Sequence, residues 1–325
     1  MRTLTSYTRS LSEEEAATLK KCLQSRHFEF RDVPHARYAA NKDQVSVVLY
    51  NRGKLVVQGK GTREFVEFLL EPEVLKRAEL GYEAALNPDY HASRIGVDES
   101  GKGDFFGPLC IAGAYVNEDI LIKWEASEIR DSKRISSDKR VAALARVIRD
   151  TPGCVTSVVA IGNEAYNRLY NQMGNVNAVL AWGHARVIEN LLEQSGRMKT
   201  PPRYAISDQF AATKETVLRA LLARGRELEL VQKHKAESDP AVAAASILAR
   251  DEFVRRLCDL EVRLGVSLPK GAGKDVDEAA RRIVQQKGAD ALAVASKLHF
   301  RNSLRARGLP EPKRKIWRRN HGGAA

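Results

Sequence analysis

Short apolar segments and longer helical patterns alternate along the chain from residue 94 onward, and this alternation is the strongest constraint on the fold. Strands are predicted at residues 95–98, 109–116, 155–161, 204–207 and 228–231. Helices are predicted at residues 137–149, 176–194, 211–224, 241–264, 276–286 and 289–296. Strands that alternate with helices in this way are typical of a layered α/β domain.

The N-terminal region has a different pattern, which predicts a small α+β unit. Ser12 followed by Glu15 is a capping box at the start of a helical pattern over residues 13–26. Two strand-like segments, 45–50 and 55–58, flank a turn and predict a hairpin. A second helix is predicted from Thr62 through Leu70.

Composition shifts place the boundaries between these parts. Residues 1–82 form the predicted N-terminal domain, and residues 83–93, with Asn-Pro-Asp at 87–89, form a predicted linker. Residues 94–310 form the predicted α/β domain. Residues 311–325 are rich in Lys and Arg and predict a basic, flexible tail.

Charge and cysteine usage restrict the partner and the compartment. The chain carries 53 Lys and Arg against 41 Asp and Glu, a net charge of +12, which favours a polyanionic partner because phosphate contacts release counterions. A basic, solvated surface is the alternative. The four cysteines form no CxxC pair, so we expect neither a disulfide framework nor a zinc site. Without a long apolar run or signal peptide, a cytoplasmic protein with no membrane contact is expected.

The most unusual segment places two adjacent acids, Asp98 and Glu99, between an apolar strand and a glycine-rich turn. Buried carboxylates are costly unless they bind a cation, and hard divalent ions prefer oxygen ligands. We expect the turn after Glu99 to bring both acids to one edge. Gly96 to Lys102 also has the spacing of a phosphate-binding GxxxxGK loop, but Gly103 replaces its Ser or Thr, and the two acids would repel phosphates.

Two further acidic positions fit the same chemistry. Asp208 ends an apolar strand directly before a predicted helix, and strand ends of α/β sheets are where sites collect; a helix cap is its alternative role. Glu237 and Asp239 precede the small-residue helix that begins near Ala241. The helix dipole alone would favour acids there, so whether one of them is a fourth metal ligand stays open.

Several segments in chain order match the sequence pattern of a known family: DESGKGDFFGP at 98–108, DSK at 131–133, NQMGNVNAVLAWGHA at 171–185, SDQF at 207–210, HKAES with AVAAASILAR at 234–250, LPKGAGKDVD at 268–277 and KLHFRN at 297–302. Together they resemble the ribonuclease HIII family, a type 2 ribonuclease H, over nearly the whole chain. The GKG triplet after the acids is similar to the HIII branch, whereas ribonuclease HII has GRG. The N-terminal segment VVLYNRGKLVVQGKG resembles that family's TBP-like module.

The resemblance implies a ribonuclease H-like domain with a mixed central sheet and flanking helices, behind a small α+β TBP-like substrate-binding domain. It implies hydrolysis of the RNA strand of RNA–DNA hybrids by two Mg²⁺ or Mn²⁺ ions, giving 5′-phosphate and 3′-hydroxyl ends. The implied metal ligands are Asp98, Glu99 and Asp208, with Glu237 as the fourth catalytic carboxylate and Asp239 as its competitor. No protein partner is implied, and a monomer is expected.

Substrate contacts are implied for Gly101, Lys102 and Gly103, which would read the 2′-hydroxyls of the RNA strand. Phosphate contacts are expected for basic residues of the N-terminal hairpin region, with ordinary surface charge as the alternative: Lys54, Lys60 and Arg63. Tyr50 is expected to pack in the core, with stacking or support of the sheet as the alternatives. Structural, hydrogen-bonded roles are favoured over catalytic ones for the two histidines of the matching segments, His184 and His299.

Two other functions would use the same features. Incision at single ribonucleotides in DNA, as in ribonuclease HII, is disfavoured by the GKG triplet and the long N-terminal module. A non-catalytic nucleic-acid-binding protein would explain the charge but not the acids at strand ends.

Overall fold

The computed structural model describes residues 4–77, 90–124, 127, 129, 135, 137–208, 225–233 and 236–311. The chain divides into two compact units, Met1–His91 and Ala92–Ala325. Most of the predicted linker (83–93), nearly all of the tail (311–325) and the whole predicted helix 211–224 lie outside the described residues. These three therefore stay predictions.

The N-terminal unit is a five-stranded antiparallel sheet with helices, in the strand order β1-β5-β4-β3-β2. Its elements are β1 Ser6–Ser10, α1 Glu13–Ser25, β2 Glu29–Arg31, β3 Ala36–Lys42, β4 Val45–Tyr50, β5 Lys54–Gln58 and α2 Thr62–Phe65. The predicted hairpin is confirmed, since β4 pairs with β5 in the register Val47↔Val57. The capping box is also confirmed: the Ser12 hydroxyl accepts from the Glu15 amide at 3.1 Å.

Two details of this unit differ from the prediction. The helix expected through Leu70 is α-helical only over α2 and continues as a π-helical segment, Val66–Leu75. Pro72 lies inside that segment and has no amide hydrogen to donate to an α-helical ladder. Tyr50 is half-buried on the face of β4 opposite the buried residues Val47 and Leu49. The expectation that Tyr50 packs in the core is wrong.

The C-terminal unit is built on a mixed five-stranded sheet in the order β10-β9-β6-β7-β8. Its strands are β6 Arg94–Ser100, β7 Leu109–Val116, β8 Thr156–Ile161, β9 Tyr204–Asp208 and β10 Glu229–Lys233. Its described helices are α3 Glu118–Trp124, α4 Asp138–Asp150, α5 Asn163–Met173, α6 Val176–Leu192, α7 Pro240–Leu264, α8 Lys274–Lys287, α9 Ala291–Ala295 and α10 Arg301–Ala306. The predicted α/β class with a mixed sheet is confirmed.

Two helices cover the opposite faces of this sheet at β6 and β7. On one face, a Cβ at Gly96 would lie 2.1 Å from the backbone of Ala241, so only glycine lets α7 approach β6 this closely. On the other face, Gly113 of β7 lies against Val187 of α6. Because Gly96 is buried inside a strand, the alternative of a phosphate-binding loop over residues 96–102 is wrong. No described helix is both long and apolar enough to cross a membrane.

Candidate active site

The first two predicted ligands, Asp98 and Glu99, lie near the end of β6, which continues through Ser100 instead of ending at residue 98. Successive residues of a strand point to opposite faces. Asp98 accordingly accepts a hydrogen bond from Ser246 of α7, and Glu99 lies 3.1 Å from Nε2 of His184 in α6. The prediction that a turn directly follows Glu99 is wrong, because β6 continues through Ser100. Each acid is held by a different helix.

The pKa values of the two acids are shifted in opposite directions. Burial, and next the negative charge of Glu99, raise the pKa of Asp98 to about 6. Burial acts in the same direction on Glu99, but the hydrogen bond and charge of His184, with the charge of Lys102, outweigh it and lower the pKa of Glu99. The site thus holds one stabilised carboxylate beside one whose negative charge is poorly compensated.

The third predicted ligand, Asp208, ends β9, which runs parallel to β6 with Val97 opposite Ser207. The next residue is an acid in each strand, Asp98 in β6 and Asp208 in β9. The backbones of neighbouring strands lie about 5 Å apart. Residues in register point to the same face of a sheet. The carboxyl ends of β6 and β9 therefore carry an acid each on the same face.

The two candidates for the fourth acid have different positions. The backbone of Glu237 lies in a short 3₁₀ turn, Ala236–Ser238, between β10 and α7; its side chain lies outside the description. Asp239 is the N-cap of α7 and accepts from the Ala241 amide at 2.8 Å. It also pairs with Nε of Arg94 at 2.8 Å, so its contacts are those of a cap and an ion pair.

These residues have the donor chemistry of a site for a hard divalent cation. Asp98, Glu99 and Asp208 supply only oxygen atoms, which Mg²⁺ and Mn²⁺ prefer. The raised pKa of Asp98 records a buried negative charge beside a second one, and a divalent cation is a partner that would compensate both. Among the side chains that the structure describes, no group of three or more His, Cys, Asp or Glu is arranged to hold a metal by itself.

The glycine-rich turn that follows β6 contains two kinds of glycine. Gly101 has φ +90°, and a Cβ there would lie 2.3 Å from the Pro108 carbonyl oxygen, so the fold itself requires glycine. Gly103 is exposed, and a Cβ there would meet no atom within 4 Å. Between them, Nζ of Lys102 lies 3.4 Å from Oε1 of Glu99. The fold thus leaves open space at Gly103, next to the acidic centre formed by Asp98, Glu99 and Asp208.

The predicted basic residues of the N-terminal unit differ in their contacts. Lys54 and Lys60 are exposed, and neither forms an ion pair with another described residue. Arg63 instead pairs with Glu67 at 2.8 Å on the same helical segment. Lys54 and Lys60 therefore stay candidates for phosphate contacts.

Two histidines and one serine make contacts that the sequence predicted only in part. His184 is hydrogen-bonded, as expected, but its partner is the predicted ligand Glu99. His299 stacks on Tyr170, with ring centroids 4.4 Å apart. Ser246 was not predicted; its signal was a lone hydroxyl within the apolar, small-residue run 241–249.

Comparison with known families matches both units. A family model for ribonuclease HII matches residues 95–303, and a model described as a domain of unknown function (DUF3378) matches residues 9–79. A protein named ribonuclease HIII from Chlamydia pneumoniae is 45% identical over 90% of this chain and 95% of its own length. A protein of the same name from Chlamydia muridarum is 43% identical over 91% of this chain and 95% of its own.

Solved structures give the same result. The crystal structure of Bst-RNase HIII in complex with Mn²⁺ is 28% identical and covers 94% of this chain and 98% of its own, with a TM-score of 0.63. The crystal structure of Aquifex aeolicus RNase H3 is 27% identical and covers 90% of this chain and 99% of its own, with a TM-score of 0.51. The similarity therefore extends over both units and nearly the full length of these proteins.

Proposed function

The chain belongs to the ribonuclease HIII family and is an endoribonuclease of the ribonuclease H class, and from this premise we propose how its acids cut the RNA strand of RNA–DNA hybrids. In this proposal two divalent cations, Mg²⁺ or Mn²⁺, bind Asp98, Glu99 and Asp208, with Glu237 as the fourth catalytic carboxylate. The observation that supports the proposal is the parallel register of β6 and β9, in which Val97 lies opposite Ser207 and the next residue of each strand is an acid. The Mn²⁺ complex of Bst-RNase HIII supports the choice of metal.

Bound at these carboxylates, the ions supply Lewis-acid chemistry for in-line attack by water and for the leaving 3′ oxygen, which gives 5′-phosphate and 3′-hydroxyl ends. The chain's own part is to hold the oxygen ligands in place. His184 fixes one oxygen of Glu99, and the Ser246 hydroxyl fixes Asp98. Hydrogen bonds to ligating carboxylates orient them before the cation arrives.

Substrate binding is proposed for the turn Gly101, Lys102 and Gly103. The open space at Gly103 allows the backbone of a nucleic acid strand to approach the chain closely, where peptide groups can meet the 2′-hydroxyls that distinguish RNA from DNA. Lys102, beside Glu99, is positioned for a phosphate near the acidic centre. These residues together would place the RNA strand at the acids.

The remaining roles are proposed by unit. Residues 1–82 are the TBP-like substrate-binding domain, with phosphate contacts from the exposed side chains of Lys54 and Lys60. Residues 94–310 are the catalytic domain. The four cysteines are free thiols, which supports action in a reducing cytoplasm. The proposed active species is a monomer.

The test replaces the carboxylates by their amides and measures cleavage of a continuous RNA–DNA hybrid with Mg²⁺ or Mn²⁺. We expect Asp98→Asn, Glu99→Gln and Asp208→Asn each to lower kcat at least about a hundredfold, as expected when charge stabilisation in a transition state is lost. Asp150→Asn, at an exposed helix end, is the matched control. Full activity of Asp98→Asn would contradict the proposal.

The substrate is tested with a second duplex that carries one ribonucleotide in DNA. We expect the wild type to cut the continuous hybrid with the higher kcat/KM. Preference for the single ribonucleotide would instead assign the ribonuclease HII type of incision.

A further inference from the structure

One lysine of the C-terminal unit is completely buried, and it contacts the segment directly after the glycine-rich turn. Lys297 has no exposed surface. Its Nζ donates to the carbonyl oxygens of Gly107 at 2.5 Å and Asp104 at 2.9 Å, and it lies 3.5 Å from that of Phe106. The three hydrogens of one ammonium group are thus directed at three carbonyls of a four-residue segment.

A buried ammonium group is costly, so its retention calls for a physical reason. Burial lowers the pKa of Lys297 to about 7, and the nearby charge of Asp104 opposes this only in part. A hydrophobic side chain of similar length would avoid that cost, but it would remove the shared donor of the Asp104, Phe106 and Gly107 carbonyls. Burial of Lys297 therefore lowers the stability of the fold, and its hydrogen bonds fix the backbone geometry of residues 104–107.

Other bonds fix the same segment from two further directions. The Phe105 amide donates to Gly271 O at 2.8 Å, and Gly271 N donates to Oδ1 of Asp104 at 2.6 Å. The side-chain amide of Asn163 donates to Gly107 O at 2.9 Å. Gly271 and Lys297 lie in LPKGAGKDVD and KLHFRN, two matching segments to which the catalytic proposal assigns no role.

Residues 101–107 therefore comprise an open half, the turn 101–103, and an anchored half, the segment 104–107 that follows the turn. Residues 104–107 are anchored by these bonds, and Phe105 and Phe106 are fully buried. Gly103, one residue earlier, faces open space. Asp104 joins the two halves, because its amide donates to Gly101 O at 3.3 Å. The position of the open half is thus set by the anchored half.

We propose that Lys297 is a positioning residue for RNA binding. By holding the carbonyls of Asp104 and Gly107, it fixes the position of the backbone of Gly101–Gly103, the turn that contacts the substrate. The proposal rests on the proposed substrate role of that turn. Lys297 itself does not touch the substrate, since it is fully buried. Its effect is transmitted through the backbone.

The first test measures KM and kcat for a continuous hybrid in Lys297→Met. We expect KM to rise about tenfold, the effect of weakening a hydrogen bond to a charged group, while kcat falls less than about twofold, because a loop that binds ground and transition states equally acts on KM. The matched control is Ile148→Ala, a buried position of α4. It should lower the melting temperature and leave KM unchanged.

The second test is a double-mutant cycle with Gly103→Ala. This substitution meets no atom of the chain, so it should leave folding intact and raise KM. If Lys297 acts through the turn, the double variant should show less than the product of the two single effects on KM. Additive effects, or an unchanged KM in Lys297→Met, would overturn the inference and leave the proposed substrate turn standing.

Unchanged KM in Gly103→Ala, with Gly196→Ala as its exposed control, would overturn the substrate turn and the inference together. Asn163→Ala covers the case in which Lys297→Met does not fold. It removes a neutral donor from the same Gly107 carbonyl and should raise KM a few-fold without burying an unpaired charge. No change in KM for Asn163→Ala, beside an unfolded Lys297→Met, would mean that anchoring of residues 104–107 does not control binding and would overturn the inference.

Discussion

Substitution of Asp239 separates a structural acid from a catalytic one. Asp239 pairs with Arg94, whose side chain is 1% exposed against 16% for Asp239, so the pair is almost fully removed from water. Breaking a buried pair by deleting one partner costs about 3–5 kcal/mol. Asp239→Ala also removes the N-cap of α7, which is worth about 0.5–2 kcal/mol. Because one carboxylate makes both contacts, the two contributions are not additive, and we expect a total of about 3–5 kcal/mol.

The expected shift is large enough to measure by calorimetry. For a unit of this size, each kcal/mol lowers the melting temperature by about 2–4 °C, so Asp239→Ala should lower it by about 6–20 °C. Asp239→Asn keeps an oxygen for the Ala241 amide and loses only the charge, so it should cost about 1.5–3 kcal/mol. Asn175→Ala removes an exposed cap of α6 and should cost about 0.5–2 kcal/mol, the value for a cap alone.

Activity decides between the two acids. Below its melting temperature, folded Asp239→Asn should keep kcat within a few-fold of the wild type. Glu237→Gln should instead retain the melting temperature and lose kcat at least about a hundredfold. If Asp239→Asn melts like the wild type but does not cleave the hybrid, Asp239 is a metal ligand and its ion pair with Arg94 is incidental.

Three further outcomes are expected. Lys54→Gln and Lys60→Gln should each reduce the slope of log KM against log salt by about 1, whereas Lys21→Gln on α1 should not change the slope. The free energy of unfolding should rise with pH between the lowered pKa of Lys297, about 7, and the ordinary lysine value, because the unfolded chain then holds the extra proton; titrations of Lys297→Met should lack this slope. Ser12→Ala should destabilise the N-terminal unit by about 1 kcal/mol. Calorimetry should show this as a lower melting temperature of that unit, and hybrid cleavage should be unchanged.

The parts of the fold that were predictable are those with a local signal. Strand β7 has eight buried residues in a row, and its apolar run gave the same bounds from sequence. The capping box at Ser12 also fixed the start of α1. Strands β1 and β3 were not predicted, because SYTRS and ARYAANK mix polar and small residues. Their strand character comes from pairing with β5 and β4.

The site was predictable as far as strand ends can indicate it. Asp98, Glu99 and Asp208 stand where apolar runs stop, and the parallel register brings the ends of β6 and β9 together. Lys297 was not predictable as a buried group, because a single lysine in KLHFRN has the usual pattern of a surface charge. Its partners lie 190 or more positions away in the sequence. Only the folded chain shows them.

The alternation of Asp98 and Glu99 across β6 has a consequence for engineering. The two acids are neighbours in the chain but are held by different helices. Asp98 is hydrogen-bonded to Ser246 of α7, and Glu99 is hydrogen-bonded to His184 of α6. Redesign of one helix would tilt one acid and leave its neighbour where it was. Variants of α6 and variants of α7 could therefore be selected separately, each set changing the position of one acid.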